Sequence, residues 1–208
     1  MSTRGEITRG KILDAAQTLV MANGFAGTTI DDILGAAEVT KGAFFHHFKD
    51  KAQLAKDLVE RYTVDDLSLF ENFADEVESE LTDPLEQMIA FLKKFENYIE
   101  TSGDNAPGCM YAVYTYESAQ FEPAILDFVA DTLRQWTSIY VRKYQAVIDV
   151  YPPALDVTAR QLAELTVSIV EGGLILQRAY GDMQLTRRQS EQLRNYLQLL
   201  FGTPKAKA

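Results

Sequence analysis

The chain has 208 residues, is 47% hydrophobic and carries a net charge of −10, so it can bury a core in one large domain or two small ones. No run approaches the roughly eighteen consecutive apolar residues of a membrane span, and the N-terminus lacks the apolar segment of a secretory signal. The single cysteine, Cys109, cannot form an internal disulfide, as is typical of a reducing compartment. We therefore expect a soluble cytoplasmic protein with no membrane partner.

The charge is unevenly distributed along the chain. Residues 1–51 contain six basic and six acidic side chains and have no net charge, whereas residues 52–208 carry the full −10. Domains that bind nucleic acid are usually basic. A neutral N-terminal part with local basic clusters can still bind phosphate, while the acidic remainder would repel DNA and help to orient it. The charge therefore permits DNA binding without predicting it.

Apolar residues at helical spacing, together with capping residues, predict about nine helices and an all-α fold. Asp32 lies three residues after Thr29, the spacing of a capping box, and Pro84 follows Asp83 at a first helical position. Asp156 and Thr186 are the expected caps of the last two helices. The predicted helices cover residues 6–22, 30–37, 41–47, 51–73, 84–101, 109–119, 123–150, 157–180 and 187–201.

The segment from Thr28 to Lys51 has the arrangement of a helix-turn-helix, with two short helices behind a longer first helix. The second helix must be polar outside to enter a major groove about 12 Å wide, and apolar inside to remain docked. Lys41 and Phe45 are four residues apart and share the exposed face. Lys49 and Lys51 follow, placed to meet phosphates. The residues expected to form the small core beneath are Ile30, Ile33, Leu34, Val39, Phe44 and Phe48.

Two strings in this segment, TKGAFFHHFKDK at residues 40–51 and GFAGTTIDDI at residues 24–33, resemble the signature of the TetR family of bacterial regulators. The specific match covers about residues 6–60. The resemblance implies a three-helix DNA-binding head, a larger helical regulatory domain, dimerisation through the last two helices, and release of DNA when a small molecule binds. We therefore expect a DNA-binding domain at 1–50, a ligand-binding and dimerisation domain at 51–202, and a flexible tail at 203–208.

The resemblance also implies roles for individual residues of the head. By position, Thr40, Lys41 and Ala43 would face base edges, and Thr29, His47 and Lys51 would contact phosphates. The family commonly has tyrosine, whose hydroxyl bonds a phosphate, at the position of Phe45; Phe45 can pack only against sugar or a thymine methyl. The alternative is a helical hairpin without DNA contact. The full expected DNA-binding set is Thr28, Thr29, Thr40, Lys41, Gly42, Ala43, Phe45, His47, Lys49 and Lys51.

Eleven of the 22 aromatic residues lie between Phe91 and Tyr144, and six of them are tyrosine and one is tryptophan. Their polar tips need partners when buried, and an aromatic pocket with a few polar anchors is typical of a small-molecule site. Packing of a core explains many of them as well. Glu171 and Gln177, in an otherwise apolar helix, are candidate anchors, or else solvated or interface residues. The expected ligand-binding set is Phe91, Phe95, Tyr98, Cys109, Tyr111, Tyr114, Phe128, Trp136, Tyr140, Glu171 and Gln177.

The last two helices carry apolar stripes at alternating spacings of three and four, typical of helices packed near 20°. Glycines in such a seam let backbones approach closely. The alternative is that both stripes face the chain's own core, since the eighth helix has a second apolar side. The expected dimer interface is Leu162, Leu165, Ile169, Gly172, Gly173, Leu176, Ala179, Leu193, Leu197 and Leu200.

We expect no cofactor and no metal. His46 and His47 are consecutive, so on a helix they point about 100° apart and do not suit one ion. Cys109 is either a small buried residue or a redox sensor. The chain lacks the phosphate-binding loop, nucleophile elbow and metal-pair motifs of enzymes.

The sequence therefore predicts a non-enzymatic repressor that binds a near-palindromic double-stranded DNA operator as a homodimer. A small-molecule effector would release it, with coupling through the fourth helix. Two alternatives stay open. One is an architectural or activating DNA-binding protein without a ligand, and the other is a cofactor-free helical enzyme or small-molecule carrier.

Overall fold

The structure, a computed structural model, describes residues 4–102 and 108–202, so the expected tail at 203–208 lies outside the described residues. Within these ranges the chain forms nine α-helices, one short 3-10 turn at Ser118–Gln120 and no strand, which confirms the all-α prediction. None of the described helices is long and apolar enough to cross a membrane. The helices are α1 (Arg4–Asn23), α2 (Ile30–Ala37), α3 (Lys41–His47), α4 (Lys51–Glu80), α5 (Pro84–Ser102), α6 (Met110–Tyr116), α7 (Pro123–Val150), α8 (Ala159–Tyr180) and α9 (Leu185–Phe201).

Local capping signals set several helix starts as predicted. At α2, Thr29 Oγ1 accepts the Asp32 N–H at 3.1 Å while the Asp32 carboxylate accepts the Thr29 N–H at 2.9 Å, which completes a capping box. At α5, Asp83 Oδ1 accepts the N–H groups of Leu85 and Glu86 at 2.9 and 3.0 Å. These bonds satisfy donors that have no partner within the first turn of a helix.

Two predicted caps and two helix ends are wrong. The cap of α8 is Thr158, which forms a capping box with Gln161, and not Asp156. Thr186 does not cap α9; it is buried in the first turn. The α4 helix continues to residue 80, since no glycine or proline lies between positions 73 and 83, and Val77 adds a further buried residue. The α6 helix ends at residue 116, three residues early, and the chain then turns through the 3-10 segment.

The described helices belong to two compact units that interleave along the sequence. The head unit comprises Met1–Asp65 and Cys109–Thr132, and the body unit comprises Asp66–Gly108 and Leu133–Ala208. The α4 and α7 helices begin in the head unit and end in the body unit. The sequence predicts a single boundary between the two domains, between residues 50 and 51. The head unit instead also includes α6 and the first part of α7, which lie much later in the sequence.

The body unit contains a buried ion pair between α5 and α9. The Glu96 carboxylate accepts hydrogen bonds from Arg194 Nε at 2.7 Å and Arg194 Nη2 at 3.0 Å, and from the Ser190 hydroxyl at 2.8 Å. The Glu96 side chain is only 6% exposed. A charge so far from water is tolerated only because these donors surround it.

We expect Arg194→Met to destabilise the protein by about 3 kcal/mol, because it leaves the Glu96 charge buried without its cation. Urea unfolding followed by circular dichroism measures the change. The control is Arg160→Met, which removes an exposed pair with Glu164 and should change stability by less than about 1 kcal/mol. Equal effects of the two substitutions would contradict the structural role of the Glu96–Arg194 pair.

Candidate nucleic-acid interface

The seven-residue helix α3 is held in the head unit by two aromatic side chains. Phe44 and Phe48 are fully buried, and their ring centroids lie 5.5 Å apart. On α2, Ile33 is equally buried. Thr40 caps the start of α3, since its hydroxyl oxygen accepts the Ala43 N–H at 3.2 Å. One side of α3 is therefore anchored, and its other side must face outwards.

The turn between α2 and α3 has the length of a helix-turn-helix connection. It consists of residues 38–40, and its first residue, Glu38, adopts a left-handed conformation with φ 55°. The Glu38 N–H donates to the carbonyl oxygens of the last turn of α2. This closure ends α2 and redirects the chain into α3.

The outward side of α3 brings together most of the residues expected to touch DNA. Lys41, Gly42 and Phe45 are exposed, whereas Ala43 is half-buried. The hydroxyl of Thr40 uses its oxygen for the cap, so its hydrogen can still be donated to a base or phosphate. Lys49, exposed beyond the end of the helix, extends the same region.

His47 lies half-buried near the end of α3. Burial lowers its pKa below the ordinary value, and the positive charges of His46 and Arg9 act in the same direction. A ring nitrogen of His47 can meet a phosphate through a hydrogen bond.

Thr28 and Thr29 do not fit the role expected of them. Thr28 is buried and its hydroxyl donates to the Gly24 carbonyl at 2.8 Å, so the expectation of a DNA contact is wrong. Thr29 is exposed, but both its N–H and its hydroxyl donate to the Asp32 carboxylate, at 2.9 and 2.6 Å. The capping box therefore uses the two donors that a phosphate would need.

Lys51 is also engaged within the head unit rather than presented to a phosphate. Its Nζ donates to the Phe25 carbonyl at 2.5 Å and lies 4.1 Å from the centroid of the Phe25 ring. Burial lowers the pKa of Lys51, although the nearby Glu117 carboxylate acts in the opposite direction. Its amine therefore fastens the turn between α1 and α2.

Sequence reasoning missed a second fastening of that turn, which comes from the end of α6. The Glu117 carboxylate accepts the Ala26 N–H at 2.7 Å. The Phe25 ring lies 4.8 Å from that of Phe121, which stacks on Tyr114 at 4.3 Å. Because Ala26 and Glu117 are 91 residues apart, no local sequence signal could have indicated the contact.

The residues expected to bind a ligand are divided between the two units. Cys109, Tyr111, Tyr114 and Phe128 belong to the head unit. The Tyr114 side chain is fully buried and its hydroxyl donates to the Ala55 carbonyl at 2.6 Å, so it is part of the core. The Tyr111 hydroxyl likewise bonds a buried threonine, at 3.3 Å. These tyrosines find their partners within the head unit.

The aromatic residues of the body unit form a cluster of their own, the body cluster, which consists of Phe70, Phe73, Phe91, Phe95, Tyr98, Trp136 and Tyr140. The rings of Phe70 and Trp136 meet edge to face, with centroids 3.7 Å apart. Trp136 is only 8% exposed, and its Nε1–H has no hydrogen-bond acceptor. A buried donor of this kind is rare in folded proteins and calls for an explanation.

The two candidate polar anchors differ in their surroundings. Gln177 is buried, and its side-chain oxygen accepts the Thr186 hydroxyl at 2.8 Å, so it joins α8 to α9. Glu171 is half-exposed on α8. Because its side chain already bonds α9, Gln177 does not fit the expected role of a ligand anchor.

Half of the expected dimer interface is core. Leu162, Leu193, Leu197 and Leu200 are buried within the single chain, so the expectation that they meet a second copy is wrong. Gly173 allows α8 to approach α9, since a Cβ there would lie 3.1 Å from the Thr186 Cα. The residues of the expected set that remain at least partly accessible are Leu165, Ile169, Gly172, Leu176 and Ala179.

The described residues contain no group of three or more histidine, cysteine or acidic side chains that could hold a metal ion. The adjacent rings of His46 and His47 meet edge to face, with centroids 5.0 Å apart. Cys109 is buried at the start of α6.

A docked short helix with an exposed face, set behind a tight turn, is the helix-turn-helix arrangement that DNA-binding transcriptional regulators use. The model of the bacterial regulatory proteins of the tetR family matches residues 12–58. A second model, the C-terminal domain of LmrA/YxaF-like transcriptional regulators, matches residues 84–192, more than half of the chain. The protein belongs to the TetR family.

Relatives and solved structures match nearly the whole chain. The uncharacterised regulator YxaF of Bacillus subtilis is 25% identical over 85% of this chain and 87% of its own length. The transcriptional repressor KstR2 of Mycobacterium tuberculosis is 26% identical over 80% of this chain and 92% of its own. A TetR regulator from Chloroflexus aurantiacus superposes with a TM-score of 0.79 at 25% identity, over 98% of this chain and 99% of its own.

We expect Lys41→Ala and Lys49→Ala to weaken DNA binding in different ways. Lys41 lies on the outward face of α3, so its loss should cost about 1–3 kcal/mol and relax the base preference at one position. Lys49 lies beyond the helix, so its loss should weaken all sequences alike and lower the salt slope by about one. Titration of specific and random duplexes at several salt concentrations separates the two. Wild-type binding by both variants would contradict this assignment of the face.

Proposed function

We propose that this protein is a repressor that binds a near-palindromic operator as a homodimer and is released by a small-molecule effector. The outward face of α3, with Lys41 and Phe45 presented and Phe44 and Phe48 buried, is the observation that carries the proposal. The relative KstR2 is a transcriptional repressor, which supports the same direction of regulation here. Because a bacterial regulator of this family must reach DNA, we propose that it acts in the cytoplasm.

An apolar stripe on α8 supports the homodimer. Leu165, Ile169, Gly172, Leu176 and Ala179 recur at spacings of four and three and are at least partly accessible in the single chain; Leu176 is 41% exposed. Exposed apolar stripes of this kind mark protein interfaces. Pairing α8 with its symmetry mate would bury the stripe in a two-fold interface. Two linked heads could then reach successive major grooves about 34–36 Å apart.

Two helices and one carboxylate support coupling between effector and DNA. The α4 and α7 helices continue from the body unit into the head unit, so a shift in either reaches the head through an unbroken backbone. In the head, Glu117 holds the Ala26 amide and so ties α6 to the turn before α2. We propose that coupling uses this contact in addition to α4. An effector that prefers a different arrangement of the heads shifts the population away from DNA.

The body cluster is the proposed effector site. Phe91, Phe95 and Tyr140 supply apolar, buried walls, as is usual for small-molecule sites. The Trp136 Nε1–H is a buried donor that a ligand acceptor could satisfy. Burial raises the pKa of Tyr140, so its hydroxyl stays neutral at pH 7. The cluster therefore combines apolar area with a buried donor.

We expect Leu176→Glu to give a folded monomer, because a charge in the α8 stripe cannot be buried against a second copy. Sedimentation at micromolar concentration should show a dimer for the wild type and a monomer for the variant. Operator affinity should fall at least about a hundredfold, since the second half-site is no longer linked. Val64→Glu, at a 64% exposed position on α4, is the matched control. A wild-type monomer, or a dimeric Leu176→Glu variant, would refute the interface.

We expect any compound that releases the wild-type protein from its operator to change the emission of Trp136, the only tryptophan of the chain. Trp136→Phe keeps an aromatic ring but removes the donor, so release should need about tenfold more compound while operator affinity changes less than about twofold. Fluorescence and DNA-release titrations measure both. Release at equal concentrations from both proteins, without a change in wild-type emission, would place the effector site elsewhere.

A further inference from the structure

Phe45 is a large apolar side chain on the outward face of α3, where it is 46% exposed. Its ring meets that of the buried Phe44 edge to face, with centroids 5.3 Å apart and an interplanar angle of 79°. This contact orients the ring without covering it. The ring is thus an exposed apolar surface on the helix that carries Lys41.

The surroundings of Phe45 leave room for a close approach. Gly42, three residues earlier on the same face, has no side chain, and a Cβ built there would meet only Thr40 Oγ1, at 3.9 Å. Lys41 lies four residues before Phe45, one helical turn away. A base edge that reaches Lys41 can therefore lie beside the Phe45 ring without a steric obstacle at position 42.

The chemistry of the ring limits what it can recognise. It has no hydrogen-bond donor or acceptor, so it cannot read the polar pattern of a base edge or bond a phosphate. In the major groove the apolar group that a base presents is the C5-methyl of thymine. Burying that methyl against the ring removes apolar surface of both partners from water, which is favourable.

We propose that Phe45 is a specificity-determining residue that reads one thymine of each half-site through its C5-methyl group. The inference rests on the proposed function, in which α3 enters the major groove. Four residues of helix rise by about 6 Å, and base pairs are stacked about 3.4 Å apart. The thymine therefore lies within about two base pairs of the base that Lys41 contacts.

The test uses the duplex that the wild-type protein enriches from random DNA. Each thymine of a half-site is replaced in turn by deoxyuridine, which lacks only the methyl group, and the Kd is measured at fixed salt. We expect one replacement to weaken wild-type binding about fourfold, the effect of exposing one methyl group. In Phe45→Ala the same replacement should change the Kd by less than about 1.5-fold.

Two further variants serve as controls. Phe45→Tyr keeps the ring and should keep the deoxyuridine effect, and Lys41→Ala should bind less tightly but keep it as well. The inference would be overturned if no single thymine replacement weakened wild-type binding by more than about twofold. This measurement needs only the wild-type protein. Persistence of the effect in Phe45→Ala would overturn the inference too. Failure of the wild type to enrich any duplex would instead refute the proposed function.

Discussion

Burial of Phe44 and Phe48 is the interaction on which the rest of the molecule depends. A helix of seven residues is too short to persist alone, so α3 exists because these two rings anchor it in the head unit. The same anchoring leaves the side chains of Lys41 and Phe45 exposed. The Thr40 cap completes the start of the helix at the point where it would meet DNA. The packing of Phe44 and Phe48 therefore both anchors α3 and leaves its DNA-contacting residues accessible.

The head unit is not a contiguous piece of sequence, and this has consequences for regulation. The turn before α2 is held by Lys51 from α4 and by Glu117 from the end of α6. Phe25 packs beside the stacked rings of Tyr114 and Phe121. The α6 helix and the residues just after it are therefore built into the unit that carries α3. A conformational change in α6 can therefore affect α3 directly, and not only through α4.

Helix starts could be predicted because a cap is local, as the box between Thr29 and Asp32 illustrates. Two features that depend on the folded chain could not be predicted from the sequence. The amine of Lys51 is used by a carbonyl 26 residues away, which leaves no trace in its neighbouring sequence. The stripe that includes Leu197 has a spacing that suits a core and an interface equally, and burial within the single chain decides for the core. The family resemblance assigns Thr29 to a phosphate, although the capping box predicted from its own spacing already uses its donors.

Selection of operators from random DNA by the wild-type protein tests most directly whether a dimer of this chain reads DNA with α3. The predicted result is an inverted repeat whose half-site centres lie one helical turn, about 34–36 Å, or a multiple of it apart, with two copies of the chain on each duplex. Sequencing of the enriched pool and the stoichiometry of the complex report both properties. If no sequence were enriched, or if the enriched site were asymmetric and occupied by one copy, reading of DNA by a dimer through α3 would be contradicted.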